Sequence, residues 1–317
     1  MTPKESAHRR FASKTHASRG VSPDEMLARV LHRDGLMLII DKPPGLSVHR
    51  GPKGGPSLED YFDALRYGLP RPPALAHRLD KDTSGCLVLG RHRKALAHLG
   101  LLFKHRKVGK TYWAVVEGAP EEDEGTIDIP LGRLDDKIGW WMKPDPKGLP
   151  SVTKWKVMGR SLPSPYLSSP SPYLSSPSPA CGAGRGGGSP THGASGSPHP
   201  NPPPQAGEGV RPSRGEDIAS SPKLTWLALE PITGRTHQLR VHCAAMGWPI
   251  VGDDIYGGAS RFSGPVLHLH AREVVVPISK NRPPIRVVAP VPAHMRERLA
   301  LCGWNGEEGE QRTASSE

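Results

Sequence analysis

Apolar residues in this chain come in short runs bounded by turn-forming residues, and the runs follow two periodicities. Leu36 to Asp41 is a compact apolar run that stops at Lys42-Pro43-Pro44-Gly45, which predicts a strand closed by a turn. Leu87-Val88-Leu89 and Thr111 to Glu117 read as two more strands. Between them, Ala95, Leu96, Leu99, Leu102 and Phe103 recur at helical spacing, with His92, Arg93, Lys94 and Lys104 facing outward. Thr236 to Met246 predicts a second helix, capped by Thr236 and ended by Gly247. Val152 to Gly159 and Leu224 to Glu230 both alternate with a period of two and are expected to pair. Strand pairs with helices interspersed give an α+β fold around a mixed, mainly antiparallel central sheet.

The composition breaks sharply between those last two strands. From Ser161 to Pro222 the chain begins with the heptapeptide Pro-Ser-Pro-Tyr-Leu-Ser-Ser, found at Pro163 to Ser169 and again at Pro170 to Ser176. It continues through Gly186-Gly187-Gly188 and Pro202-Pro203-Pro204. Proline excludes a helical heptad, and too few large apolar residues are present to offset the entropy of ordering. Residues 161–222 are therefore expected to be a disordered insertion in place of a short turn. Loop closure costs grow only logarithmically with length, so the sheet should tolerate it.

Length and composition refine this picture. The 317 residues suffice for one large domain or two ordinary ones. Expected boundaries are a basic arm at 1–26, one domain at 27–302 interrupted at 161–222, and an acidic tail at 303–317. No stretch is long and apolar enough to cross a membrane, and Met1 to Gly20 lack the apolar centre of a secretory signal. Cys86, Cys181, Cys243 and Cys302 are scattered with no CxxC pair, which fits a reducing cytoplasm. The formal charge of +11 favours a polyanionic partner, because each neutralised phosphate releases condensed counterions. Arg91, Arg93, Lys94, Lys104, Arg106, Lys107 and Lys110 concentrate that charge around the polar clusters described next.

The densest polar cluster is His77-Arg78-Leu79-Asp80-Lys81-Asp82-Thr83-Ser84-Gly85, leading into the strand at Leu87. By spacing alone Asp80 could be a turn or capping aspartate, Tyr112 a strand aromatic in the core, and Arg240 a surface arginine on a helix. Arg78 could contact phosphate or form a salt bridge. The histidines His237, His242, His268 and His270 invite a metal hypothesis, but His237 and His242 are five apart and no Cys or Glu completes a set, so no metal is expected.

The nine positions from His77 to Gly85 resemble the active-site loop of the RluA-type pseudouridine synthases, which reads His-Arg-Leu-Asp followed by Thr-Ser-Gly. Gly109-Lys110-Thr111-Tyr112 is similar to that family's Lys-x-Tyr strand, and Thr233 to His242 to its later motif. Gly252 to Gly257 and Leu267 to Ala271 also fit, so the resemblance runs from about Val30 to Val291 around the insertion. It implies an RNA uridine isomerase without cofactor, Asp80 as nucleophile, and Arg240 paired with Asp80. It also implies Tyr112 stacked on the uracil and available for proton transfer, and Arg78 filling the space left by an extruded base. His77, Thr83 and Ser84 are expected mainly to shape the loop. His77, Lys110, Arg235 and His237 join Arg78 as candidate RNA contacts.

Too few residues precede Val30 for the small RNA-binding domain that many such proteins carry, so the catalytic domain, alone or with the basic arm, should recognise a stem-loop of ribosomal or transfer RNA, as a monomer. The competing expectation is an RNA-binding module that has lost catalysis.

Overall fold

A computed structural model describes residues 21–51, 54–135, 140–161, 223–260, 263–279 and 281–306. The proposed insertion, apart from Ser161, lies outside the described residues, as do most of the basic arm and residues 307–317 of the acidic tail.

The chain opens with α1 (Pro23–Ala28), then β1 (Val30–Arg33) and β2 (Met37–Lys42), and two 3-10 turns at Leu58–Tyr61 and Ala64–Arg66. Next come β3 (Ala74–Leu75), β4 (Ser84–Gly90), α2 (Arg93–Lys104) and β5 (Gly109–Glu117). They are followed by β6 (Glu124–Asp128), β7 (Leu131–Arg133), β8 (Met142–Pro144), β9 (Val152–Arg160) and β10 (Leu224–Pro231). The described chain closes with α3 (Gln238–Ala245), β11 (Leu269–Val276), β12 (Ile285–Val288) and α4 (Ala293–Leu301). The main sheet runs β1-β2-β4-β11-β5-β10-β9-β6, with β3 beside β4 and β12 beside β11. Among the strand pairs of the described residues only β4 and β11 are parallel, so the mainly antiparallel α+β architecture read from the sequence is what forms. β9 and β10 pair antiparallel across the insertion point, as their alternation required.

Period-two alternation sorts the core onto two faces. Leu38, Ile40, Leu87 and Leu89 point to one side, under Met26 of α1 and Leu58 and Leu65 of the 3-10 turns. Met37, Ile39, Cys86 and Val88 point to the other, where Leu99 of α2 covers them. Toward the other end of the sheet, Ala114 and Val116 pack with Leu239 and Cys243 of α3, while Trp113 and Val115 pack with Met295 and Leu299 of α4. The middle strands are buried on both faces, and so they appear in sequence as unbroken apolar runs.

Two boundaries shift. Ser22 caps α1 in a reciprocal capping box with Glu25, and Met26 is fully buried, so the folded domain begins before residue 27. At the other end Trp304 packs against the α4 cluster, so the domain extends past residue 302. A third expectation fails at α3. Thr236 does not cap it; the helix starts after His237, whose φ of 53° is left-handed.

Candidate active site

The polar clusters converge on one cleft of about 920 Å³, lined by the 77–83 loop, the start of β5 and the 230–240 segment. The loop alternates its side chains. Leu79 is buried in the core, which leaves Arg78 exposed and turns Asp80 into the cleft with 21% of its side chain accessible. The Asp80 carbonyl accepts the amide of Thr83 at 3.2 Å, closing a tight turn. Gly85 follows, with φ +104°, and a Cβ there would lie 2.3 Å from the carbonyl oxygen of Ala271. Glycine is therefore required where the loop joins the sheet.

Beneath the loop lies Lys42, fully buried at the end of β2. Its ammonium donates to the carbonyls of Pro43, Leu46 and Lys81, each at 2.8 Å, which uses all three N–H bonds. Burial pushes its pKa down to about 7, with Asp82 and Asp80 opposing the shift.

His77 belongs to the loop's scaffold. Its Nε2 accepts the Val88 amide at 3.0 Å, and its ring stacks on Phe103 with centroids 4.4 Å apart. Burial lowers its pKa to about 3, so the ring is neutral and carries no charge for a phosphate contact.

Tyr112 stands in mid-sheet, in register with Ala271 of β11 and Leu229 of β10, and faces the cleft. Burial and the nearby Asp80 carboxylate raise its pKa above the ordinary phenol value. Its phenol stays protonated, and its ring lines the cleft.

The third polar cluster is organised by Gln238. Its Oε1 accepts from the Thr233 hydroxyl and the Arg235 amide, while its Nε2 donates to the Val152 carbonyl and to Thr153 Oγ1, all at 2.7 to 3.0 Å. A buried amide with all its bonds made ties the 233–237 turn to β9. That tie holds His237 in its left-handed conformation with Nε2 3.9 Å from Asp80 Oδ2. His237 Nδ1 lies 2.9 Å from the hydroxyl of Tyr256, which itself accepts the Met142 amide at 3.0 Å. The Tyr256 hydroxyl thus ties the backbone at the start of β8 to the His237 ring, whose Nε2 faces Asp80. Burial lowers the His237 pKa, opposed by Asp80, so the ring is neutral near neutral pH.

Arg240 departs from expectation. It does not pair with Asp80 but grips Asp253 with two parallel bonds, Nε to Oδ2 at 2.8 Å and Nη2 to Oδ1 at 2.7 Å. The pair is enclosed, with 3% and 0% of the side chains exposed. Burial opposes ionisation of Asp253, yet Arg240 and the amides of Ile255 and Tyr256 outweigh it and hold its pKa below the usual range. A second carboxylate so close and so well aligned captures the guanidinium, and Arg240 acts on Asp80 only through space.

Of the other candidates, Lys110 and Arg235 line the cleft with Lys104, Arg106 and Lys107. Arg91 instead turns its guanidinium onto the carbonyls of Asp34, Arg66 and Tyr67. Arg93 and Lys94 stand with it at the start of α2, away from the cleft. His242 bonds Thr153 and Ile129, His270 bonds Ser84, and His268 bonds Val266, so these rings are committed separately. Asp253, Tyr256 and Gln238 had no role assigned from sequence. Their signal was their place inside the Thr233 to His242 and Gly252 to Gly257 stretches.

A model of the RNA pseudouridylate synthase family matches residues 36–245. The chain is 34% identical over 268 residues to an uncharacterized RNA pseudouridine synthase of Zymomonas mobilis, covering 83% of this chain and 94% of that protein. It is 28% identical to the ribosomal large subunit pseudouridine synthase C of Vibrio cholerae, over 85% of this chain and 68% of that one. Among solved structures, human RNA pseudouridylate synthase domain containing 4 superposes with a TM-score of 0.57 at 23% identity, covering 88% of this chain and 95% of the human one, which shows a shared fold.

Proposed function

This chain belongs to the RNA pseudouridylate synthase family, and we propose that it isomerises uridines of structured ribosomal or transfer RNA with Asp80 as the nucleophile. The observation that carries this reading is the position of Asp80: a half-enclosed carboxylate 3.9 Å from a neutral imidazole, in a cleft it shares with Tyr112 and a rim of cations. Converting uridine to its C-linked isomer breaks the bond between base nitrogen and ribose, turns the base and rejoins it through carbon. A carboxylate can make that exchange in easier steps, by covalent addition to sugar or base or by removing a sugar proton.

The cleft suits a single nucleotide taken out of its stack. Leaving the stack costs a few kcal/mol, and an exposed Arg78 beside Asp80 can fill the space left behind. Tyr112 offers the extruded base an aromatic face. Lys104, Arg106, Lys107, Lys110 and Arg235 supply charge for the flanking phosphates, and recognition of a stem-loop by its shape follows from such contacts. Similarity to a ribosomal large subunit enzyme supports a ribosomal target. The chain is proposed to act as a cytoplasmic monomer.

Purified protein is added to RNA from a strain lacking the gene, and pseudouridine is mapped by chemical tagging. Asp80→Ala should lower product formation by about 10³-fold or more while RNA affinity stays within a few-fold. Turnover retained in that variant would remove Asp80 from the mechanism.

A further inference from the structure

The hairpin of β7 and β8 delivers an aromatic side chain that the reaction above does not use. Trp140, two residues before β8, exposes 52% of its surface, while its neighbour Trp141 is partly buried. Its ring meets that of His237 nearly at right angles, with centroids 5.5 Å apart, and His237 is the ring that stands 3.9 Å from Asp80. The indole is thus one ring removed from the proposed nucleophile and half exposed. Hydrogen bonds on its C-terminal side fix its backbone: the Met142 amide is bonded to Tyr256, whose hydroxyl also meets His237, and the Leu134 amide bonds the Trp141 carbonyl at 2.8 Å. The same small sheet exposes Arg133 and Lys143, with Lys147 just beyond.

A half-exposed indole beside a polar cleft, on a small sheet that also exposes cations, matches an unpaired nucleobase with its phosphates. We propose that Trp140 is a stacking platform for a loop base next to the extruded uridine, so that the enzyme reads an unstacked neighbour as well as the target. This rests on the RNA reading of the cleft. The division of labour follows from burial: Tyr112, deep in the sheet, faces the target base, and Trp140, outside, takes the neighbour. Every base has a π face, so the contact selects single-stranded loop over paired stem without strong sequence preference.

The test measures affinity of the full chain for a fluorescent hairpin RNA with a uridine-containing loop, and for the same hairpin with abasic residues throughout the loop. Trp140→Ala should bind the intact loop about 10-fold more weakly than the native protein and the abasic loop equally well. Trp140→Phe should recover most of the difference, and thermal melting should show both variants folded. Equal losses on both hairpins, or no loss on the intact one, would overturn the proposal. So would a Trp140→Ala effect confined to sedimentation, which would assign the ring to contact between copies. The reading of Asp80 is judged separately, by pseudouridine formation. A protein that shows the Trp140 effect yet makes no product would keep this platform and lose that nucleophile.

Discussion

The buried ammonium of Lys42 donates to the carbonyl of Lys81, the residue directly after Asp80, at 2.8 Å. The same ammonium binds the Pro43 and Leu46 carbonyls, so one cation joins the turn after β2 to the loop that presents the carboxylate. Lys42→Met keeps the length of the side chain and removes all three donors. Unsatisfied buried acceptors cost about 1–3 kcal/mol each, and partial relaxation should leave a net loss of about 3 kcal/mol in urea denaturation. Activity at a temperature where the variant is still folded should also fall, because the loop has lost its floor. An unchanged denaturation midpoint would show that the loop is held by other contacts.

Gly85→Ala tests the junction of the same loop with the sheet. A methyl group would meet the Ala271 carbonyl at 2.3 Å, on a backbone with φ +104° that L-residues rarely adopt. Both effects act on the parallel pairing of β4 and β11, since Gly85 stands opposite Ala271. The expected outcome is loss of soluble, folded protein, read by expression and circular dichroism. A variant melting within a few degrees of the native protein would contradict the register.

How much of this was legible beforehand depends on range. Runs such as Leu36 to Asp41 and the helical spacing from Ala95 to Phe103 are local, and both elements formed close to where periodicity put them. The partners of Arg240 are not local. Nothing in the spacing of Thr233 to His242 reveals that Asp253, from a later loop, reaches the guanidinium first. The start of α3 failed for a related reason. Thr236 is an acceptable cap by type, but Gln238 draws Thr233 and the Arg235 amide onto its own oxygen and sets a different turn. Trp140 carried no periodic signal, because its role depends on a ring contact across the fold.

The Arg240–Asp253 pair predicts an asymmetry. Asp253→Asn leaves a buried guanidinium with only the longer, 3.5 Å contact to Asp254, and breaking such pairs costs up to about 3–5 kcal/mol. Replacing both partners, as in Arg240→Met with Asp253→Asn, should cost less than the single change, since no charge is stranded and the Asn oxygen can still accept the Ile255 and Tyr256 amides. Denaturant unfolding of the two variants decides it. If the double variant is the less stable, the pair is contributing more than mutual neutralisation.

Stability should decline in acid. His270 is fully buried with its pKa lowered to about 3, and His268 is buried with its pKa at about 4, in both cases chiefly through burial. Both folded values lie below the ordinary 6.5, so the stabilisation is complete above pH 6.5. As pH falls from 6.5 toward 4, the unfolded chain takes up protons that the folded chain refuses. The loss is about 1.4 kcal/mol per pH unit per histidine, or about 2 kcal/mol each by pH 5. His270→Asn keeps a polar partner for Ser84 and should make the decline between pH 7 and pH 5 shallower by roughly that share. Identical slopes in the native and variant proteins would place the acid sensitivity elsewhere.

Tyr256→Phe removes one oxygen and separates the role of His237 from that of the scaffold. The hydroxyl lies 2.9 Å from His237 Nδ1, and when it donates there it favours the neutral ring. Without it Nδ1 is free to take a proton, and the resulting imidazolium would face Asp80 at 3.9 Å. An ion pair there would hold the carboxylate away from the ribose and base. The His237 pKa should therefore rise in the variant, and its activity relative to the native protein should be lower at pH 6 than at pH 8. The Met142 amide also loses its acceptor, but that loss is independent of pH and would lower activity equally at both values. A constant ratio across the profile would leave the hydroxyl as scaffold only. A ratio that recovers with rising pH would show that it sets the charge on the ring beside Asp80.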